Sequence, residues 1–312
     1  MTEFLNTEEA AVPNQFIGKF SAKNIAVYLK REDLLHPEVS GNKFRKLKYN
    51  IQEAIAQRKP KIVTFGGAFS NHIAATAAAG KLANIGTVGV IRGEELAADL
   101  SKTLKFNSTL RFASSCGMEL RFITREAYRN KENPDFLEAL RQELGDFYLV
   151  PEGGTNELAI KGCEEILQPE DKAFNYICTS VGTGGTVSGI INSSSEDQKV
   201  LGFSALKGDF LTSEVKKLTK AENWQILTHF HFGGYAKVNR ELISFINNFK
   251  KTYHIQLDPV YTSKLLFGIF AMIKNGYFPD NAKILAIHTG GLQGIGGMNR
   301  RLAKKNLPLI ED

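Results

Sequence analysis

Cysteine is scarce in this 312-residue chain, which has only Cys116, Cys163 and Cys178. An odd number, with no CxxC or histidine-rich spacing, argues against a disulfide framework and against a zinc site, so no metal is expected. Long apolar runs are missing as well. Nowhere do about 18 consecutive apolar residues occur, so a membrane-spanning helix is not expected. The opening MTEFLNTEEAAVPNQF has no basic region followed by an apolar stretch, so no secretory leader is expected and a reducing cytoplasm is the expected compartment. Lys and Arg outnumber Asp and Glu by 39 to 33. That excess suits anionic ligands but is too mild and scattered for nucleic acid, which is not an expected partner. Internal repeats and low-complexity linkers are also absent.

What is present is an ordinary globular composition, 43% hydrophobic and 23% charged, in a chain longer than one compact core usually needs. Short β-branched runs alternate with longer helical patterns. KIVTF is followed by an alanine-rich stretch, then TVGVIR, a polar helix and LRFIT. After FYLVPEGG come a helix from about Glu157, the strand NYICTSV, a glycine loop and helix, a strand near KVLGFSAL, a helix from Ser263 to Gly276 and the strand KILAIHTGG. This is βαβ grammar, which builds parallel sheets covered on both faces and gathers ligands at strand C-terminal ends. The expected fold class is α/β, with two three-layer domains and mostly parallel sheets. Without a linker, the smaller domain is expected to be inserted, at 51–152, into a larger one made of 1–50 and 153–312.

Four motifs carry chemistry. In SGNKFRKLKYN, Ser40, Gly41 and Asn42 favour a turn or cap before a helix, which puts Lys43 at the helix start. The positive end of the helix dipole there lowers a lysine pKa toward a usable amine. The run Lys43–Lys48 taken alone suits a solvated helix face. In TFGGAFSNHIAATAAAG, Ser70 and Asn71 lie at a helix N-terminus, where free backbone amides bind a carboxylate; simple capping is the blander alternative. In CTSVGTGGTVSGI, Gly182, Thr183, Gly184, Gly185 and Thr186 resemble a phosphate cradle, lacking both a P-loop lysine and GxGxxG spacing. LDPVYTSK and AIHTGG bring Tyr261, Thr262 and Thr289 near the end, where a returning strand is expected to carry hydroxyls to a ligand. Tyr235 follows two glycines in a loop. Ordinary packing accounts for either tyrosine taken singly.

In order, GNKFRKL, GGAFSNH, GTGGT, GGYAKVN, DPVYTSK and HTGG resemble the D-cysteine desulfhydrase and 1-aminocyclopropane-1-carboxylate (ACC) deaminase family, from about Leu35 to Gly297. That family has the tryptophan synthase β-like fold of the fold type II pyridoxal-phosphate (PLP) enzymes. The resemblance implies PLP as cofactor, a small amino acid as substrate and a homodimer. It makes Lys43 the Schiff-base lysine, Asn71 the partner of the cofactor's phenolic oxygen and Gly182 to Thr186 the phosphate loop. Ser70 becomes the catalytic serine on the carboxylate side. Tyr261 lies against the pyridine ring, Thr262 and Thr289 belong to the cofactor site, and Tyr235 and His72 face the substrate with Ser70 and Asn71. Lys43, Ser70, Tyr261 and Tyr235 are then the catalytic residues.

Two positions depart from the ACC deaminase pattern, which has glutamate after the motif tyrosine and glutamine after the Ser-Asn pair. Here they are Thr262 and His72. A carboxylate keeps a pyridine nitrogen protonated, whereas threonine supports only a neutral one. β-Elimination tolerates the weaker electron sink because its leaving group carries charge away. The expected activity is therefore a D-cysteine desulfhydrase-like lyase giving pyruvate, ammonia and sulfide. ACC deaminase, giving 2-oxobutyrate and ammonia, is the alternative. A third reading is a non-catalytic phosphate-metabolite-binding protein, in which GTGGT holds a phosphate and Lys43 only pairs with it. The segment 201–239 is shorter and more irregular than in the family.

Overall fold

The structure is a computed structural model that describes Phe4, residues 12–21 and residues 23–311. The opening segment inspected for a leader lies largely outside them. In chain order the strands are β1 (Asn14–Phe20), β2 (Ile25–Lys30), β3 (Lys61–Gly67), β4 (Gly86–Arg92), β5 (Glu119–Ile123), β6 (Tyr148–Val150), β7 (Tyr176–Val181), β8 (Lys199–Ser204), β9 (Trp224–Leu227) and β10 (Lys283–Ile287). They form two sheets, ordered β1-β2-β10-β7-β8-β9 and β5-β4-β3-β6. Among the described residues only the β1–β2 hairpin is antiparallel, and every other pairing is parallel. The fold is α/β, as the alternating pattern predicts.

The two-residue period of a strand explains the layering of the larger sheet. On β10, Ile284 and Ala286 join Cys178, Leu201 and Phe203 on one face, against helices Arg240–Tyr253, Thr262–Lys274 and Ile295–Ala303. Leu285 and Ile287 join Ile177, Val181 and Val200 on the other, against Glu157–Glu164, Gly185–Ser193 and Phe210–Lys216. The smaller sheet is also covered on both sides. Val63, Phe65, Val88 and Val90 pack with Tyr128, Leu140 and Leu144. Ile62 and Val150 pack with Ala75, Ala78 and Ala79. Those alanines belong to helix Asn71–Ala83, which small side chains allow to lie so close that ten of its 13 residues are buried.

Helix Asn42–Ala56 bridges the sheets. Phe44, Leu47, Ile51 and Ala54 join the core beside the smaller sheet. Its Arg45 carbonyl touches Gly162 on the helix that covers the larger one, where a Cβ would come within 1.9 Å. Position 51 therefore falls inside a continuous helix. The β1–β2 hairpin, short β9 and helix Arg240–Tyr253 are elements that the patterning does not single out. Among the described residues no helix is long and apolar enough to cross a membrane.

Candidate functional site

Lys43 is the second residue of helix Asn42–Ala56, after Gly41 at φ 62°. A Cβ on Gly41 would meet the Thr289 carbonyl oxygen at 2.1 Å, so only glycine lets the helix start abut the loop after β10. The Lys43 Nζ donates to Asn42 Oδ1 at 3.0 Å, and Asn42 Nδ2 donates to Thr186 Oγ1 at 2.8 Å. One side chain thus joins the lysine to a glycine loop 144 residues away. Lys43 is ringed by protein although solvent still reaches part of it. Burial, followed by the charge of Lys46, lowers its pKa to about 7. The helix terminus foreseen as the cause is not among the leading ones; desolvation is stronger because it penalises the ammonium directly.

The glycine loop runs from the end of β7 into helix Gly185–Ser193, with Gly184 at φ 90°. Thr183 and Thr155 share a hydroxyl hydrogen bond of 2.6 Å. The Lys46 Nζ donates to Gly153 O at 2.9 Å and Thr155 Oγ1 at 3.0 Å, with Thr183 Oγ1 at 3.5 Å. A Cβ on Gly185 would come within 2.9 Å of Thr155 Oγ1 and 3.2 Å of Lys46 Nζ. Helix amides, hydroxyls and an ammonium thus converge on a space kept open by glycine, which suits a phosphate. The basic run is not a solvated face, since Arg45 and Lys46 are 3% and 2% exposed. Arg45 pairs with buried Glu32 at 3.1 Å. Lys46, Thr155 and Asn42 were missed as site residues. The signal for Lys46 was its i+3 spacing from Lys43, which puts both on one helix face.

Ser70 caps helix Asn71–Ala83, accepting from Ile73 N at 3.4 Å, so the capping role is real. Asn71 opens that helix and lies against the HTGG loop, where a Cβ on Gly291 would be 2.5 Å from Asn71 Nδ2. His72 is 1% exposed, with its Nε2 2.8 Å from Thr64 Oγ1. The Thr64 hydroxyl hydrogen goes to Val150 O at 2.8 Å, so Nε2 is the donor and Nδ1 carries the lone pair. Nδ1 has no hydrogen-bond partner. Burial, then the charges of Lys43 and Lys46, hold this imidazole neutral, its pKa well below the ordinary value. Just before Ser70 in the chain, Gly67, Ala68 and Phe69 join Arg92 and Tyr128 in walling a cavity of about 510 Å³.

LDPVYTSK is not a returning strand. Asp258 accepts from the backbone N–H groups of Val260, Tyr261 and Thr262 at 2.9, 2.8 and 2.8 Å, which forms a turn into helix Thr262–Lys274. The Tyr261 ring lies against Gly182, where a Cβ would be 3.2 Å from its hydroxyl. Burial raises the pKa of both the Tyr261 and Tyr235 hydroxyls. The two rings meet edge to face at 6.3 Å, although Tyr235 is half-exposed. Thr262 is fully buried and its hydroxyl has no hydrogen-bond partner among the described residues. Thr289 is buried beside Gly41. The structure therefore brings together the lysine, the glycine loop and the tyrosine segment, with Asn71 joined to them through the HTGG loop.

This arrangement fits PLP. The glycine loop with Lys46 matches a phosphate, the amine of Lys43 matches an aldehyde, and the buried unpartnered Thr262 hydroxyl matches a neutral ring nitrogen. The family model "Pyridoxal-phosphate dependent enzyme" matches residues 11–290. The Arabidopsis thaliana protein named bifunctional D-cysteine desulfhydrase/1-aminocyclopropane-1-carboxylate deaminase, mitochondrial, is 32% identical over 86% of this chain and 73% of its own length. A Bradyrhizobium sp. 1-aminocyclopropane-1-carboxylate deaminase is 25% identical over 92% of this chain and 93% of its own. Among solved structures, an ACC deaminase homologue superposes with a TM-score of 0.78 at 28% identity, covering 97% of this chain and 95% of that one. The chain belongs to the fold type II PLP-dependent enzymes, in the family of ACC deaminase and D-cysteine desulfhydrase, and its cofactor is pyridoxal phosphate.

Proposed function

We propose that this enzyme is a lyase that eliminates the β-substituent of a small amino acid, D-cysteine-like, giving pyruvate, ammonia and sulfide. The observation that carries the reading is the chemistry at Thr262. It presents a neutral hydroxyl, and the nearby Asp258 is occupied by three backbone N–H groups, which leaves no free carboxylate in that segment. When bound, PLP supplies an electron sink for negative charge at the substrate Cα. The Thr262 hydroxyl would support only a modest sink, enough where a leaving group carries charge away.

The protein's own groups divide the remaining work. Lys43, its pKa lowered to about 7, would hold the cofactor's aldehyde and would supply the amine that takes the substrate Cα proton. Helix amides behind Ser70 and Asn71 orient the carboxylate. Neutral His72 offers its bare Nδ1 without adding a charge beside the two lysines. Tyr261, packed against Gly182, would lie against the cofactor ring, and Tyr235, whose ring meets it, would face the substrate. A homodimer in the cytoplasm is part of the same reading, and light scattering checks the assembly.

ACC deamination is the second reading, favoured by the name of the Bradyrhizobium relative, whereas the name of the Arabidopsis relative gives both activities. The deciding experiment incubates the PLP-loaded enzyme with D-cysteine, L-cysteine, D-serine and ACC, and measures sulfide, pyruvate and 2-oxobutyrate separately. Sulfide with pyruvate from D-cysteine is expected; 2-oxobutyrate from ACC as the sole product overturns the proposal.

A further inference from the structure

Lys264 has no part in the chemistry above, yet it is 1% exposed. It sits in the first turn of helix Thr262–Lys274, in the same segment as Tyr261. Its Nζ donates to two carbonyls of a distant loop, His231 and Gly234, each at 2.9 Å. The residue after Gly234 is Tyr235.

Apolar packing holds one side of that loop, with Phe232 edge to face on Phe267 at 4.9 Å and Ala236 and Val238 against the core of the larger sheet, and the polar contacts fix its backbone. Phe232, Gly233, Gly234 and Ala236 have φ of 53°, 93°, 114° and 51°, and such a backbone persists only where its surroundings impose it. Within the loop, Gly233 N donates to His231 Nδ1 at 2.9 Å, Gly234 N to His231 O at 3.0 Å and Lys237 N to Gly234 O at 3.1 Å. From outside, Arg301 reaches Ala236 O at 3.2 Å.

Burying an amine is unfavourable unless its hydrogens are satisfied, and a space-filling role calls for leucine or methionine instead. Here two acceptors meet both hydrogens of the neutral amine, or two of the three on the ammonium. We propose that Lys264 is the positioning residue for Tyr235, bonding the carbonyls of His231 and Gly234 so that the Tyr235 ring meets Tyr261 beside the Gly182 loop. The proposal deepens the function above and rests on its assignment of Tyr235 to the substrate side. One helix turn then sets both tyrosines, Tyr261 through its own backbone and Tyr235 through the Lys264 amine.

The test compares Lys264→Met, Tyr235→Phe and the double variant as PLP-loaded enzymes. Lys264→Met is expected to lower kcat by a factor similar to Tyr235→Phe, about tenfold or more, with the visible absorbance of bound PLP unchanged. The double variant should be no worse than the poorer single variant within about twofold, because residues that act through one another are not additive. Multiplying losses, unaltered kcat in Lys264→Met, or loss of bound PLP overturns the proposal. Amide hydrogen exchange supplies a measurement independent of turnover. Lys264→Met should speed exchange at Gly233 and Gly234 about tenfold or more while β7 and β8 stay protected. Unchanged loop exchange, or acceleration throughout the molecule, overturns it. Failure of the proposed function looks different, because then the unmodified protein yields no product from any of the four amino acids while the exchange result stands.

Discussion

Lys43 is deprotonated across a range in which an ordinary lysine is charged, since burial and Lys46 bring its pKa to about 7. Only the free amine bonds an aldehyde. For cofactor-free protein, the rate of PLP uptake should therefore rise as pH increases through about 7 and level off above it; stopped-flow absorbance follows this. A rate that is flat between pH 6 and 9 contradicts the assignment. Lys43→Ala should lower turnover by about a thousandfold or more, and borohydride should label Lys43 in the parent protein. Ser70 is a helix cap in the structure and the proposed catalytic serine, and two substitutions separate the cap from the proposal. Loss of a serine cap to alanine costs about 0.5–2 kcal/mol, and to glycine only a few tenths. Ser70→Gly should then melt close to the parent temperature yet lose about a hundredfold or more in kcat if the hydroxyl takes part in chemistry. Near-parental turnover in Ser70→Gly would leave it a cap alone.

At the scale of elements, strand-to-helix junctions hold the site, and each depends on a residue the backbone cannot do without. Gly41 combines positive φ with a 2.1 Å approach to Thr289 O. Gly41→Ala should destabilise the protein by at least about 2 kcal/mol and weaken PLP binding, because both strain and clash fall at the helix start that carries Lys43. Urea unfolding and PLP titration measure the two effects, and a fully stable, fully loaded Gly41→Ala would show that the helix start can shift. Most of these elements were legible in the sequence. KIVTF, TVGVIR, NYICTSV and KILAI are apolar runs that can serve only as strands buried on both faces. The helix starting at Thr262 was legible to within one residue, expected from Ser263, but the Asp258 turn before it was not, because DPVYTSK does not show that one carboxylate collects three N–H groups.

Across the whole molecule, buried charges tie distant parts of the larger sheet. Lys30 on β2 meets Asp171, before β7, at 2.7 Å with both side chains 1% exposed. Asp171 also accepts from Asn14 and from the Gln168 backbone at 2.6 and 2.8 Å. Lys30→Met should cost about 3–5 kcal/mol by leaving a buried carboxylate short of its counter-charge. Denaturant unfolding checks this, and a loss below about 1 kcal/mol would show that Asp171 finds water or another donor. The sequence by itself determined the α/β class, the strand-to-helix junctions and the residue types that suit a PLP site, because hydrophobic period and glycine placement are local properties of the chain. Only the tertiary structure decided that Asn42 reaches Thr186, that burial sets the Lys43 pKa, that Lys46 turns inward to Thr155 and that Lys264 grips the Tyr235 loop. Those depend on desolvation and on contacts between residues far apart in the chain, which no spacing along it encodes.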